Sequence, residues 1–163
     1  MSYEFLFNNR YEKSLVRILE IIWQDLNLES VQTPSKTKTE IFNKIVSDLK
    51  EKRSFTLHKS DVVFYITPDS PWVARLHLFT VNESVFLRER FKAGNELTQY
   101  IFRNTPIEKL YGITPNKKFL SLAKYAKWKP GQEGILTKSY RTNDGKLIDQ
   151  IIISVNKSES MRA

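Results

Sequence analysis

The side chains of this sequence that could do acid–base chemistry near neutral pH are two histidines, His58 and His77. An imidazole with an ordinary pKa can accept a proton from an ammonium group in that range. His77 lies in residues 72–81, whose alternation is typical of a strand. A half-buried histidine in a strand is more often structural than catalytic, so both interpretations of His77 stay open.

Several other chemistries are excluded by what the sequence lacks. There is no cysteine, which excludes disulfides, thiolate nucleophiles and zinc–thiolate sites. The histidines have no acidic cluster beside them, so we expect no metal site. Neither a Gly-x-x-x-x-Gly-Lys-Ser/Thr loop for nucleoside triphosphates nor a Gly-x-Ser-x-Gly elbow for hydrolysis is present.

The positive charge of the chain is concentrated in its second half. Residues 88–146 carry 13 Lys and Arg against 5 Asp and Glu, whereas the rest of the chain has 13 of each, so this segment holds the whole net charge of +8. A one-sided positive field attracts polyanions such as nucleotide cofactors, nucleic acid or acidic proteins. A solvated basic surface without a specific ligand explains the pattern equally well.

Length and hydropathy indicate a single globular domain. A chain of 163 residues can bury one real core, and its 40% apolar and 27% charged residues are ordinary for such a domain. No stretch approaches the ~20 apolar residues of a membrane span. The N-terminal residues lack the profile of a secretory signal. We therefore expect a cytoplasmic protein with no membrane partner.

Apolar residues at three- and four-residue intervals predict four helices. Thr37 and Glu40 have the spacing of a capping box, which predicts that the second helix begins at Thr37. The tail after residue 155 is expected to fray. The predicted helices span residues 11–28, 37–53, 86–103 and 117–127.

Shorter apolar or alternating segments predict the strands of a mixed sheet. Alternation within residues 72–81 puts Leu76 and Leu78 on one face and His77 and Phe79 on the other. The helix that follows predicts a parallel crossover to the next strand, and Asn-Asp-Gly at 143–145 predicts a hairpin. The fold class is therefore α/β or α+β, with helices on both faces of a central sheet. The predicted strands span residues 55–58, 62–67, 72–81, 110–113, 135–141 and 147–155.

From Asn116 onward the sequence resembles the C-terminal half of an acyl-CoA-dependent N-acyltransferase of the GNAT superfamily. Members often have an Asn opening a helix, an Ala or Tyr seven residues later, a Gly-aromatic pair closing the helix, and then a Gly and a hairpin. The order of the matches is most similar to the ribosomal-protein acetyltransferase branch. In its Lys-, Asn- and Ile-rich composition the chain also resembles phage-encoded GNAT-like proteins with degenerate cofactor loops. The matching positions are Asn116, Ala123, Lys127-Trp128, Gln132-Glu133-Gly134-Ile135, Asn143-Asp144-Gly145-Lys146 and Asp149.

The resemblance implies that acetyl-CoA is the co-substrate of a single GNAT-like domain over residues 1–163. Residues 1–71 would supply N-terminal helices and a hairpin, and residues 72–155 the cofactor-binding half. The pantetheine arm would pair with backbone groups of the strand over residues 72–81. The phosphates would lie at the start of the next helix, but Phe91 stands where the family has its first glycine, so the loop is degenerate. The residues implied to bind the cofactor are Leu78, Phe79, Thr80, Arg88, Arg90, Lys92, Ala93, Gly94 and Asn116.

The resemblance also implies where proton-transfer groups would lie. A Tyr often acts as general acid at the position of Ala123, so that role is vacant here. A general base is commonly found on or just after the cofactor-binding strand, where His77 and Glu83 are available. These two residues are the predicted catalytic groups.

Three functions follow as hypotheses. The first is acetyl transfer from acetyl-CoA to an amine carried by a small molecule or a protein. The second is a catalytically inactive GNAT-fold accessory or interaction protein. The third and least favoured is nucleic-acid binding, with Tyr125 and Trp128 stacking on bases. Nothing in the sequence indicates an oligomeric state or a particular acceptor. The lysines of the third hypothesis are Lys117, Lys118, Lys124, Lys127 and Lys129.

Overall fold

A computed structural model describes residues 15–26, 35–59, 62–80, 87–125, 127–142 and 144–161 of the chain. They form a six-stranded sheet with helices packed on it. None of the described helices is long and apolar enough to cross a membrane. In chain order the elements are α1 (Leu15–Leu26), α2 (Ser35–Lys50), β1 (Phe55–Lys59), β2 (Val62–Pro68), β3 (Val73–Thr80), α3 (Leu87–Asn104), β4 (Lys109–Thr114), α4 (Phe119–Tyr125), β5 (Gly131–Arg141), β6 (Leu147–Asn156) and α5 (Lys157–Ser160).

The strand order is β1-β2-β3-β4-β6-β5, and only the central β3–β4 pair is parallel. The crossover between those two strands is α3, as the sequence predicts. The mixed sheet is therefore confirmed, and its one parallel pair lies between two antiparallel halves.

Helices cover both faces of the sheet, which confirms the predicted layers. On one face α1 and α2 pack against Val63 and Phe79. On the other face α3 packs against a larger cluster that includes Phe64, Ala74 and Leu110. Neighbouring residues of β2 and β3 thus point to opposite layers, as the period of a strand requires.

Two boundaries differ from the sequence-based expectation. The helix α2 begins at Ser35, so Thr37 lies inside it and cannot be its N-cap. The tail is not frayed as far as Ser160, because residues 157–160 form the helical turn α5 and Gln99 on α3 donates a hydrogen bond to Ser160 Oγ at 2.6 Å. A hydrogen bond to α3 rather than local propensity therefore orders this end of the chain.

The predicted hairpin between β5 and β6 is present. Gly145 has a φ of +82°, a conformation that glycine adopts without a Cβ clash. Asn143, the first residue of the turn signal, lies outside the described residues, as do the predicted helix ends at residues 11–14 and 27–28.

Candidate active site

The two central strands separate after a short stretch of pairing. β3 and β4 pair over three positions only, the last being Arg75 opposite Tyr111, although both strands continue. Beyond that point β3 stays paired with β2 as far as Thr80, and β4 stays paired with β6 as far as Thr114. Because each strand follows its other neighbour, the sheet forks between them.

The fork opens into a cavity of about 550 Å³. Both strands, the first turns of α3 and the start of α4 form its walls, and most of the lining is apolar. Its size and apolar lining are typical of ligand sites in globular proteins. The lining includes Leu76, His77, Leu78, Arg90, Phe91, Gly112, Asn116, Phe119, Trp128 and Ser154.

The backbone of β3 determines which of the predicted strand residues can face a ligand in the fork. The N–H of Thr80 donates to Asp25 Oδ2 on α1 at 2.5 Å, so it points away from β2. Backbone groups alternate in direction along a strand, and Leu76 and Leu78 therefore direct theirs to the same side, toward β4. Of the predicted cofactor-binding residues, Leu78 is thus well placed, whereas the Thr80 N–H is already bonded.

Phe79, another of the predicted cofactor-binding residues, lies differently from Leu78. By the same alternation its backbone groups point to β2, opposite Val63. Its side chain is buried in the layer formed by α1 and α2. Neither its backbone nor its ring is directed into the fork.

His77 borders the cavity on the side of α1 and α2, next to the ring of Phe79 at a centroid distance of 4.3 Å. Its side chain is exposed to solvent at the border of the cavity, and protein atoms surround part of the ring. Burial, and then the positive charge of Arg75, lower the pKa of His77 from 6.5 to about 4. The ordinary pKa expected from the sequence is therefore wrong, because the protein around the ring disfavours the imidazolium. Glu83 lies outside the described residues.

The start of α3 holds the predicted phosphate-binding segment. The chain is already helical at Leu87, so the N–H groups without a partner inside the helix lie at or before Arg90. Arg90 is only 8% exposed and lines the cavity, and Lys92 is exposed. The backbone of Arg88 is helical, while its side chain lies outside the described part of the structure.

Ala93 and Gly94, also predicted to bind the cofactor, follow further along the same helix. Both lie inside α3, where each N–H bonds to the carbonyl four residues earlier, so neither offers a free donor to a phosphate. Ala93 is part of the main core. Gly94 lies against the ring of Trp128: a Cβ on Gly94 would be 2.7 Å from Trp128 Cζ3. Gly94 makes room for an indole instead of a phosphate.

Phe91, at the position where the resemblance implies the first glycine of the phosphate loop, belongs to an aromatic cluster. The ring of Phe91 lies 5.1 Å from that of Phe119 and 6.1 Å from that of Trp128, measured between centroids. Phe64 stacks on Trp128 from the sheet. Ala123, at the position of the family's tyrosine, is fully buried in the same core and offers no proton.

Asn116 lies at the mouth of the cavity, just before α4. Its Oδ1 accepts a hydrogen bond from the Lys118 N–H at 3.0 Å, and its own N–H donates to Thr114 Oγ1 at 3.1 Å. The side chain therefore shapes the turn into α4 and also borders the cavity.

A polar network closes the floor of the cavity. Ser154 is buried and donates to Glu133 Oε1 at 2.6 Å, and Lys109 forms an ion pair with the same carboxylate. Those bonds, Lys109 first, hold the pKa of Glu133 below its usual value. The pairing of β5 with β6 has two register shifts, and Glu133 lies at the first, between Gln132 and Gly134. The bulge there turns Glu133 toward Ser154.

Three residues that shape this site are not among those predicted from the sequence. Gly112 interrupts an apolar strand, which is a signal of close backbone approach. Asp25 carries no such signal, because its partner Thr80 is 55 positions away. Ser154 is one small residue in an apolar strand, and only the bulge in β5 gives it a partner.

The architecture is that of the GNAT N-acetyltransferases. Spermidine N-acetyltransferase from Vibrio cholerae, solved with CoA and spermine, is 15% identical at a TM-score of 0.61, over 92% of this chain and 94% of that one. Ribosomal-protein-alanine N-acetyltransferase from Brucella melitensis is 12% identical at a TM-score of 0.62, over 89% and 95%. Microcin C7 self immunity acetyltransferase MccE, solved with acetyl-CoA and AMP, is 17% identical at a TM-score of 0.55, over 90% and 87%. No protein-family model and no curated protein match the sequence.

Proposed function

We propose that this protein is an N-acyltransferase that transfers the acetyl group of acetyl-CoA to an amine. The observation that carries the proposal is the fork between β3 and β4, which opens a cavity of about 550 Å³ beside unpaired strand backbone. An extended, amide-bearing arm can add to such a backbone as a strand would. The solved N-acetyltransferases of the same fold support this choice.

In this proposal the backbone of Leu78 contacts the thioester directly. Its N–H, directed into the fork, donates to the carbonyl oxygen and stabilises the negative charge that develops there. The amine nitrogen attacks the carbonyl carbon, a C–N bond forms and the C–S bond breaks. The amine loses one proton, and coenzyme A leaves as a thiol that carries one.

His77 and Glu83 remain the proposed proton acceptors. With a pKa of about 4, the imidazole of His77 is neutral at pH 7 and offers a lone pair to the amine or to an intervening water. It is a weaker base than an ordinary histidine, so the acceptor must reach it as a neutral amine or lose its proton to water. Ala123 supplies no acid, so the leaving thiolate takes its proton from water.

The phosphates of the co-substrate are assigned to the first turn of α3. The free N–H groups there and the helix dipole favour an anion. The buried guanidinium of Arg90 and the exposed ammonium of Lys92 add positive charge, with Arg88 and Asn116 as further proposed contacts. Charged side chains thus replace the backbone cradle that a glycine loop provides.

The proposal is tested first by thermal unfolding with coenzyme A and acetyl-CoA. At 100 times the dissociation constant a ligand stabilises by ~2.7 kcal/mol, which raises the melting temperature by about 5–10 °C. Arg90→Gln should raise the dissociation constant about tenfold or more. Arg103→Gln, at the exposed far end of the same helix, is the matched control and should leave it unchanged. Thioester consumption with candidate amines then measures turnover.

A second candidate is a GNAT-fold protein without catalysis. The observations that favour it are Phe91 in place of a loop glycine, Ala123 in place of the acid, and the lowered pKa of His77. No change in melting temperature at millimolar acetyl-CoA would select this candidate. A shift without thioester consumption would leave a binding protein rather than an enzyme.

A further inference from the structure

A second cleft lies on the outer side of Trp128, away from the fork. It is an open groove of about 800 Å³ between α3, α4 and the helical turn α5. Ammonium, amide and hydroxyl groups line it, and none of its described lining residues is acidic. Its polar residues include Asn95, Lys124, Lys127 and Lys129. Gln99 Nε2 and Ser121 Oγ also line it, but they donate to Ser160 and to the Lys118 carbonyl. Leu120, Pro130 and the Trp128 ring supply apolar lining. Three ammonium groups without a carboxylate among the described lining residues favour an anion.

The conformation of Lys127 is unusual for its residue type. It follows α4 with a φ of +59°, the left-handed conformation that helices commonly reserve for a glycine at this position. Its N–H bonds to the Lys124 carbonyl at 3.1 Å, and the Trp128 N–H bonds to the Ala123 carbonyl at 3.2 Å, which closes the helix. A lysine here keeps a positive charge on the cleft wall at the expense of local strain.

Trp128 contributes a buried donor beside this charge. The residue is 2% exposed, and its Nε1 has no hydrogen-bond partner among the described residues. A buried N–H without an acceptor is uncommon. The indole forms part of the wall of both the cleft and the fork cavity.

We propose that this cleft binds a small phosphorylated ligand at a site separate from the fork. A phosphate group carries several acceptor oxygens and a charge of about −2, which match the three lysines, the Asn95 amide and the indole N–H. Base stacking, as in the nucleic-acid hypothesis, is not available to Trp128 because its ring is buried. The side chain of Tyr125 lies outside the described residues. A compact anion therefore fits better than a nucleic-acid strand.

The test uses inorganic pyrophosphate as the probe and the three indole N–H resonances of the full chain as reporters. Trp23 and Trp72 are exposed, so Trp23→Phe and Trp72→Phe assign their signals and leave that of Trp128 by elimination. Pyrophosphate should move the Trp128 resonance in a saturable way. Sodium chloride at equal ionic strength should not move it.

Lys127→Gly separates binding from folding. Glycine suits the left-handed conformation, so the melting temperature should stay the same or rise, while loss of one ammonium should weaken pyrophosphate binding by up to about fivefold. Lys138→Gly is the matched control. Lys138 is another exposed lysine with a positive φ, of 47°, and it lies on the β5 bulge away from the cleft. Binding to that variant should equal binding to the unchanged protein.

Four results would overturn the proposal. They are an unmoved Trp128 resonance, an equal loss of affinity in Lys127→Gly and Lys138→Gly, displacement of pyrophosphate by one equivalent of coenzyme A, and tighter binding of an oligonucleotide with a steep salt dependence. Displacement by coenzyme A would mean that the cleft belongs to the co-substrate site. The oligonucleotide result would instead assign the lysines to a nucleic acid.

Discussion

Gly112 lies against the carbonyl oxygen of Leu76 at the point where the two central strands part. A Cβ on Gly112 would be 3.0 Å from that oxygen, closer than side chains normally approach a backbone atom. The contact follows directly after the last paired position, Arg75 opposite Tyr111. The absence of a side chain at this residue therefore lets β3 and β4 stay close at the base of the fork.

Gly112→Ala should destabilise the protein and weaken acetyl-CoA binding together. The new methyl group must push β4 away from a backbone carbonyl that has no flexible end, which costs about 1–3 kcal/mol. Gly131→Ala is the control, because a Cβ there meets nothing within 4 Å, and it should change stability by less than ~0.5 kcal/mol. Urea unfolding measures both variants. Equal stability for the two would show that the strands are not in contact at Gly112.

Gly94→Ala should change the free energy of unfolding in opposite directions with and without the Trp128 ring. In a helix Gly→Ala normally gains ~1 kcal/mol, but a methyl group on Gly94 would lie 2.7 Å from the indole. Gly94→Ala alone should therefore destabilise by about 1–3 kcal/mol. In a Trp128→Leu background the obstructing ring is gone, and the same change should be neutral or stabilising. A double-mutant cycle measured in urea gives the coupling between the two residues.

The control for this cycle is a residue of the same helix that faces solvent and is not a glycine. Lys92→Ala should have nearly the same effect with Trp128 and with Leu at that position, because Lys92 is exposed. A coupling for Lys92 as large as that for Gly94 would mean that Trp128→Leu disturbs α3 generally.

The elements of this fold are readable from the sequence because each depends on local periodicity. The pattern around Phe79 and His77 places them on the correct face of β3, and the C-terminal end of α3 agrees with its prediction within one residue. The parallel pair follows from the strand–helix–strand order. These features depend on neighbours in sequence, so one chain is enough to predict them.

The site is less readable because its determinants are relationships between distant residues. The motif pattern placed Gly94 against a phosphate, yet its neighbour is Trp128, which comes from beyond α4. The pKa of His77 depends on the walls of the cavity more than on residue type. The bond from Thr80 to Asp25 joins β3 to α1 across 55 positions of sequence, with α2, β1 and β2 between them. Spacing in the sequence does not encode such contacts.

Asp25 should be needed to hold the end of β3. Asp25→Ala removes the acceptor of the partly buried Thr80 N–H, which should cost about 1 kcal/mol. Asp25→Asn retains an oxygen of similar geometry and should cost less. Hydrogen exchange of the Thr80 amide measures the effect directly, and it should be fastest in Asp25→Ala. Equal protection in the two variants would show that the carboxylate does not protect this amide.

The pH dependence of stability should contain a contribution from His77 with a defined sign. Its pKa falls from 6.5 to about 4 on folding, so the unfolded chain binds more protons between those values. Stability that is present above pH 6.5 is therefore lost as the pH falls from 6.5 to about 4. His77→Gln should flatten that part of the profile measured by urea unfolding.

An NMR titration of the His77 imidazole checks the cause as well as the value. The midpoint should lie near pH 4, and Arg75→Gln should raise it, because that change removes a positive charge that disfavours the imidazolium. Burial is the larger cause, so the midpoint in Arg75→Gln should still lie below 6.5. A midpoint near 6.5 in the unchanged protein would mean that water solvates the ring freely, and His77 would then regain the base strength that the sequence alone suggests.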